Sequence, residues 1–115
     1  MSIQEEQIMT TIRLGRTEII VNKNGFGALP IQRASMEDAK RILRKAYDNG
    51  INYFDTAHPY IQGKSEQAVK ECLSSRYPRD SYILTNKLSF WCFEKEEDIR
   101  PLFQSQLEAC GVEYF

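Results

Sequence analysis

The sequence predicts an α/β protein built around a parallel sheet. Stretches with apolar residues at helical spacing alternate along the chain with short apolar segments that are typical of strands. Such an alternating order favours parallel strands that are joined by helical crossovers. Two of the short segments also finish on a charged residue, since residues 51–55 end at Asp55 and residues 82–87 end at Lys87.

The first part of the chain predicts a flexible segment followed by a β-hairpin. Residues 1–9 open with acidic and polar side chains, do not resemble a signal peptide, and are expected to be flexible. Residues 11–14 and 17–21 flank a glycine-containing turn, which is the pattern of a hairpin. Residues 24–29 contain two glycines and predict a short strand or a loop whose backbone can approach a ligand closely.

The first helix is predicted from its cap and its apolar spacing. Ser35 is a good N-cap, and Asp38 three residues later completes an acidic variant of the capping box. Apolar residues then recur at helical spacing as far as residue 48. Gly50 fits the left-handed position that follows a helix.

The strand–helix unit recurs through the rest of the chain. Ser65 and Glu66 are expected to open the second helix, where a hydroxyl and a carboxylate can satisfy free amides and the helix dipole. Pro101 is compatible with the third helix only near its first turn. Strands are predicted at 51–55 and 82–87, and a further strand begins at 112–115. Helices are predicted at about 65–74 and 96–109, and the second of these stops at Gly111.

Composition excludes several classes of function. The formal net charge is -1, so no basic field is available to attract nucleic acid. No apolar run approaches the roughly 20 residues that span a bilayer. The three cysteines are scattered without CxxC spacing, which makes a disulfide framework or a zinc site improbable and favours a reducing cytoplasm.

The two charged strand ends and a nearby phenol suggest proton transfer. Tyr60 lies five residues after Asp55, and Lys87 ends the next strand. In a parallel sheet these ends meet at one edge, so an acid, a base and a phenol would come together there. Such a group can donate a proton to a carbonyl oxygen while another component delivers a hydride.

Several segments together resemble the aldo-keto reductase family. The match begins near residue 11 and continues to the end, and it includes the opening hairpin with residues 24–29 behind it. The motifs that carry it are residues 50–57 with Tyr60, residues 63–66, the Thr-Asn-Lys segment at 85–87, and residues 107–115.

The resemblance implies a (β/α)8 barrel, of which residues 10–115 would be the N-terminal portion, incomplete in this chain. It implies reduction of a small aldehyde or ketone with NADPH or NADH as hydride donor. Tyr60 would be the proton donor, Lys87 would lower its pKa, and Asp55 would anchor Lys87 as an ion pair. The family's fourth catalytic residue is a histidine after the fourth strand, a role that the motif does not give to His58.

Further binding residues are expected at the same edge. Gly27 and Ala28, with Asp55, would contact the cofactor, although the glycines could equally ease a strand twist. Trp91 and His58 would line the substrate pocket at the barrel mouth. The alternatives are that Trp91 packs onto the third helix and that His58 is an ordinary polar loop residue.

Two other hypotheses remain open. The chain could be a truncated, catalytically silent barrel fragment that acts through association with another chain or with itself, because an incomplete sheet leaves apolar edges. It could also be a small doubly wound binding module. Under the reductase hypothesis, the 115-residue chain alone is expected to be inactive.

Overall fold

The computed structural model describes residues 11–28, 33–59 and 63–115. The predicted flexible segment at residues 1–9 and the predicted proton donor Tyr60 both lie outside these ranges. Within them, a two-stranded hairpin precedes a three-stranded sheet that is flanked by helices. None of the helices in the described ranges has the length and apolar character needed to cross a bilayer.

The chain opens with the predicted hairpin, although its strands are shorter than expected. Strand β1 (Thr11–Arg13) pairs antiparallel with β2 (Ile20–Asn22). The loop that joins the two strands is long, and the side chain of Thr17 orders it. Its hydroxyl donates to the Leu14 carbonyl at 2.6 Å and accepts from the Ile19 amide at 3.2 Å. These local bonds compete with the ladder and end the strands early.

Three short parallel strands form the sheet, as the alternating pattern predicts. Strand β3 (Phe26–Gly27) and strand β5 (Ile83–Thr85) flank the central β4 (Tyr53–Asp55). Side chains alternate across it, so that Phe54 and Leu84 are buried while Asp55 and its neighbours on the other face are half-buried. Phe54 and Leu84 join the core formed with the helices.

The three helices follow the predicted order. Helix α1 covers Met36–Asp48, α2 covers Lys64–Val69 and widens into a π turn at Lys70–Ser74, and α3 covers Ile99–Cys110. The predicted cap of α1 is confirmed, because the Ser35 hydroxyl accepts from the Asp38 amide at 3.1 Å. Pro101 falls in the first turn of α3, after a 3₁₀ turn at Glu96–Asp98.

Two element predictions are wrong. Helix α2 is not capped by Ser65, because Gly63 at φ 89° precedes the helix and the Ser65 hydroxyl bonds elsewhere. The predicted strand at 112–115 does not form within the described residues. There the Val112 amide bonds to Leu107 of the preceding helix at 3.0 Å, and Arg79 takes the Tyr114 carbonyl at 2.8 Å, so these backbone groups are not free for a ladder.

The three cysteines are free thiols, and two of them belong to the core. Burial raises the pKa of Cys72 to about 11. Burial, as the larger cause, and the nearby Glu66 carboxylate, as the next, raise the pKa of Cys110 to about 12. Both groups are therefore small protonated core residues near neutral pH.

Candidate active site

The carboxyl ends of β4 and β5 bring the two predicted charges together. Asp55 pairs across the sheet with Thr85, and Lys87 lies two residues beyond. The Lys87 ammonium is 2.5 Å from Asp55 Oδ2 and donates to the Thr56 carbonyl at 3.0 Å. The other carboxylate oxygen of Asp55 accepts from the Thr85 hydroxyl at 2.5 Å. Both oxygens of Asp55 are thus engaged, and the ion pair has a fixed orientation.

This ion pair is open to solvent. The Lys87 side chain is 42% exposed and that of Asp55 is 37% exposed. An ion pair with this exposure contributes at most about 1 kcal/mol to stability. The pair therefore adds little to the stability of the fold. Its main structural effect is to hold an ammonium group at the edge of the sheet.

A second polar network joins residues that follow the same two strands and centres on a buried carboxylate. The Glu66 side chain is 1% exposed, its Oε1 lies 2.9 Å from His58 Nδ1, and its Oε2 accepts from Asn86 Nδ2 at 2.9 Å. The thiol of Cys110 lies 4.0 Å from Oε2. Glu66 therefore connects the loop after β4 with the end of β5.

Two further buried contacts support the same edge. The hydroxyls of Thr56 and Ser65 are 2.6 Å apart and fully buried. The Gln106 side chain of α3 donates to the Lys87 carbonyl at 2.7 Å. Helices α2 and α3 thereby fix the backbone on both sides of the ion pair.

Sequence reasoning missed the importance of Glu66, Asn86 and Gln106. The expectation that Ser65 and Glu66 merely open a helix is wrong in its contacts, because both side chains turn inward. One signal was available: Glu66 shares the helix face of the apolar Val69 and Leu73 at spacings of three and seven residues. A charge on an apolar face needs a buried partner.

The predicted cofactor residues have different surroundings. Gly27 pairs with Asp55 in the sheet register and is exposed, and a β-carbon added to it would meet no atom within 4 Å. Ala28 is 2% exposed, and its amide donates to the Asp55 carbonyl at 2.9 Å. Open space for a ligand thus lies at Gly27, whereas the Ala28 side chain belongs to the core.

The predicted pocket residues lie on the loops after β4 and β5. Trp91 is 65% exposed and contacts Phe90 edge to face at a centroid distance of 5.0 Å. Its exposure argues against the alternative that it packs onto the third helix. The His58 side chain is 36% exposed and is held by Glu66.

Comparison with known proteins gives a consistent result. The family model for the aldo/keto reductase family matches residues 23–115. An aldo-keto reductase of Gibberella moniliformis is 30% identical over 98 residues, which are 76% of this chain and 30% of that protein. The chain thus spans less than a third of the length of this relative.

Solved structures of the family superpose on the chain. An aldo-keto reductase from Bacillus halodurans in its holo form is 30% identical, with a TM-score of 0.75 over 92% of this chain and 38% of its own. One from Klebsiella pneumoniae in complex with NADPH is 22% identical, with a TM-score of 0.76 over 92% and 37%. The fold is therefore the N-terminal part of a (β/α)8 barrel, and the chain belongs to the aldo/keto reductase family.

Proposed function

We propose that this chain contributes the first part of the active site of an NAD(P)H-dependent oxidoreductase that reduces an aldehyde or ketone to an alcohol. The observation that carries the proposal is the Lys87–Asp55 ion pair, held at the carboxyl edge of the sheet by contacts to both groups. In (β/α)8 barrels that edge is where catalytic residues collect. Family membership supports the same class of reaction.

The roles follow from the chemistry of the three side chains. Reduction of a carbonyl places negative charge on its oxygen, and Tyr60 donates the proton that neutralises it. Lys87 stabilises the phenolate that Tyr60 becomes, because an adjacent ammonium favours the charged form of a phenol. Asp55 keeps Lys87 in place through the 2.5 Å contact with its ammonium.

The cofactor would lie against the exposed backbone at Gly27. Gly27 pairs with Asp55 in the sheet, and a β-carbon added to it would meet none of the described residues within 4 Å, so its backbone is open to a ligand. The Klebsiella relative was solved with NADPH, which supports NADPH or NADH for this chain as well. When bound, the cofactor supplies the hydride. Gly27 and Asp55 would contact it, whereas Ala28 could do so only through its backbone carbonyl.

The substrate is proposed to be a small carbonyl compound that enters beside the exposed aromatic side chains. Phe90 and Trp91 are exposed aromatic residues in contact with each other, and they follow Lys87 by three and four residues in the sequence. His58 presents a partly exposed imidazole from the neighbouring loop. The three free thiols and the net charge of -1 support a reducing cytoplasm as its location and argue against nucleic acid as a partner.

Replacement of Tyr60 tests the proposed acid. In the polypeptide as its natural source produces it, Tyr60→Phe should lower kcat for carbonyl reduction by roughly 10²- to 10⁴-fold, the usual contribution of a general acid. Binding of NADPH, followed by quenching of protein fluorescence, should change little. Tyr53→Phe, which removes a phenol on β4, is the matched control. Unchanged turnover in Tyr60→Phe would refute the assignment.

A second candidate function is association with another chain without catalysis. Within the described residues, β5 pairs with β4 alone, so its other edge has no strand beside it. Ile12 and Ile20 of the hairpin are each 52% exposed. Light scattering of the 115-residue chain distinguishes the candidates: stable oligomers without saturable NADPH binding favour association, and a monomer that binds NADPH excludes it.

A further inference from the structure

We propose that Glu66 is a positioning residue that locks the loop after β4, at His58, to the end of β5, and so holds this loop in register with Lys87 at its described residues. The proposal rests on the proposed function for its catalytic consequence. Its structural part rests on the contacts of Glu66 alone.

The environment of Glu66 makes its two hydrogen bonds obligatory. Its side chain is almost completely buried, and an unpaired buried carboxylate is strongly destabilising. His58 Nδ1 and Asn86 Nδ2 each donate to a different oxygen of the carboxylate, at donor–acceptor distances of 2.9 Å. The thiol of Cys110, at 4.0 Å, adds at most a weak contact. Loss of either strong bond would leave one oxygen poorly satisfied.

The two bonds connect the two strand ends that carry the proposed chemistry. His58 lies three residues after Asp55 and two before Tyr60 in the sequence. Asn86 immediately precedes Lys87, and its side-chain oxygen accepts the Lys87 amide at 2.8 Å. A single carboxylate therefore restrains both loops from a helix that carries none of the three proposed catalytic groups.

The arrangement also fixes the orientation of the imidazole. A carboxylate can only accept hydrogen bonds, so His58 must carry a proton on Nδ1 to bond with Glu66. In the neutral ring, the other nitrogen, Nε2, is then a hydrogen-bond acceptor. Glu66 thereby selects the tautomer that His58 presents.

The test compares variants of Glu66 with a matched glutamate on the same helical run. Glu71, five residues later, is partly exposed and forms an ion pair with Lys40. Glu66→Ala should lower kcat by roughly 10- to 100-fold, as for residues that orient the ligands of metal sites. The KM for NADPH should change little, because Glu66 does not touch the open edge at Gly27. Glu66→Gln should recover most of the activity, since its carbonyl oxygen can accept from Asn86 while its NH2 group donates to Nδ1 of His58 in the other neutral tautomer. Glu71→Ala should leave both kcat and the KM for NADPH unchanged.

Hydrogen exchange of the natural polypeptide supplies a readout that is independent of activity. Glu66→Ala should lose protection in peptides that cover residues 56–59 and 85–88, whereas Glu71→Ala should keep it. If Glu66→Ala fails to fold, Asn86→Ala takes its place and leaves Glu66 present. Asn86→Ala should lose protection in the same peptides. This change removes the Asn86 bond to Glu66 and also the Asn86 bond to the Lys87 amide, so the loss of protection at residues 56–59 is the diagnostic result.

Two results would overturn the proposal: unchanged protection and kcat in Glu66→Ala, or Glu66→Gln as impaired as Glu66→Ala. A wild-type polypeptide that reduces no carbonyl would refute the proposed function instead, while the exchange experiment would still decide the positioning role.

Discussion

Asp55 and Glu66 are two carboxylates with opposite environments. Asp55 is half-exposed and binds an ammonium, whereas Glu66 is buried and binds an imidazole and an amide. Exposure lets the ammonium of Lys87 remain accessible to a ligand. Burial makes the bonds of Glu66 costly to break. The exposed carboxylate suits chemistry, and the buried one suits positioning.

For single residues, the sequence predicts the exposed Lys87–Asp55 pair better than the buried contacts of Glu66. Asp55 and Lys87 end two separate apolar segments, and that pattern can be read along the chain. The partners of Glu66 are eight and twenty residues away, on two different loops. Their meeting depends on how α2 packs against the sheet, which no local pattern encodes.

The buried thiols predict how stability depends on pH. The pKa values of Cys72 and Cys110 rise from the ordinary 9.0 to about 11 and about 12. Above pH 9 the unfolded chain releases these protons while the folded chain retains them. The free energy of unfolding should therefore fall as pH rises from 9 towards 11. The raised pKa of Tyr82, also caused mainly by burial, acts in the same direction at higher pH.

Urea unfolding at several pH values measures this slope. Cys110→Ala should reduce the slope, although it also lowers stability at every pH by removing buried atoms. Cys92→Ala, which changes a half-exposed thiol, serves as the matched control. A free energy of unfolding that rises with pH in this range would contradict the expected effect of the buried thiols.

At the scale of elements, the Asn52 side chain links the hairpin to the sheet. Asn52, just before β4, accepts the Asn22 amide at 2.9 Å and donates to the Ile20 carbonyl at 2.9 Å. These two hydrogen bonds therefore take the place of strand pairing between β2 and the sheet. The sequence predicts both elements, but not this contact, because Asn52 resembles any polar residue at a strand boundary.

The end of α3 predicts a clear difference between two glycines with positive φ. Gly111 has φ 67°, and a β-carbon there would lie 2.8 Å from Ser74 Oγ and 2.9 Å from Lys70 Cγ. Ser74 cannot easily withdraw, because its hydroxyl bonds to the Cys110 carbonyl at 2.6 Å. Gly15 has φ 58°, and nothing lies within 4 Å of its added β-carbon.

Both alanine variants should therefore share a backbone strain of roughly 1–2 kcal/mol, and Gly111→Ala should cost about 1–3 kcal/mol more through overpacking. Chemical denaturation of the two variants and the wild type measures the difference. Equal destabilisation by the two substitutions would show that the contact between α3 and the π turn is too loose to resist an added methyl group.

At the scale of the whole molecule, the alternation of strands and helices predicts the parallel sheet, and the motifs predict the family. The strand expected at 112–115 fails because a strand exists only beside a partner, and Arg79 and Leu107 take its backbone groups instead. Element boundaries and long-range contacts thus depend on assembly, whereas element order follows from local spacing.

Replacement of Lys87 tests the central claim, that the Lys87–Asp55 pair serves carbonyl reduction. The measurement is NADPH oxidation with an aldehyde by the polypeptide as its natural source produces it, in the wild type, in Lys87→Met and in Lys45→Met. Lys45 is a lysine in the last turn of α1 and serves as the control. We expect Lys87→Met to lose roughly 10²-fold or more in kcat, while Lys45→Met should retain wild-type activity. Equal activity of Lys87→Met and the wild type would contradict a role of the Lys87–Asp55 pair in carbonyl reduction.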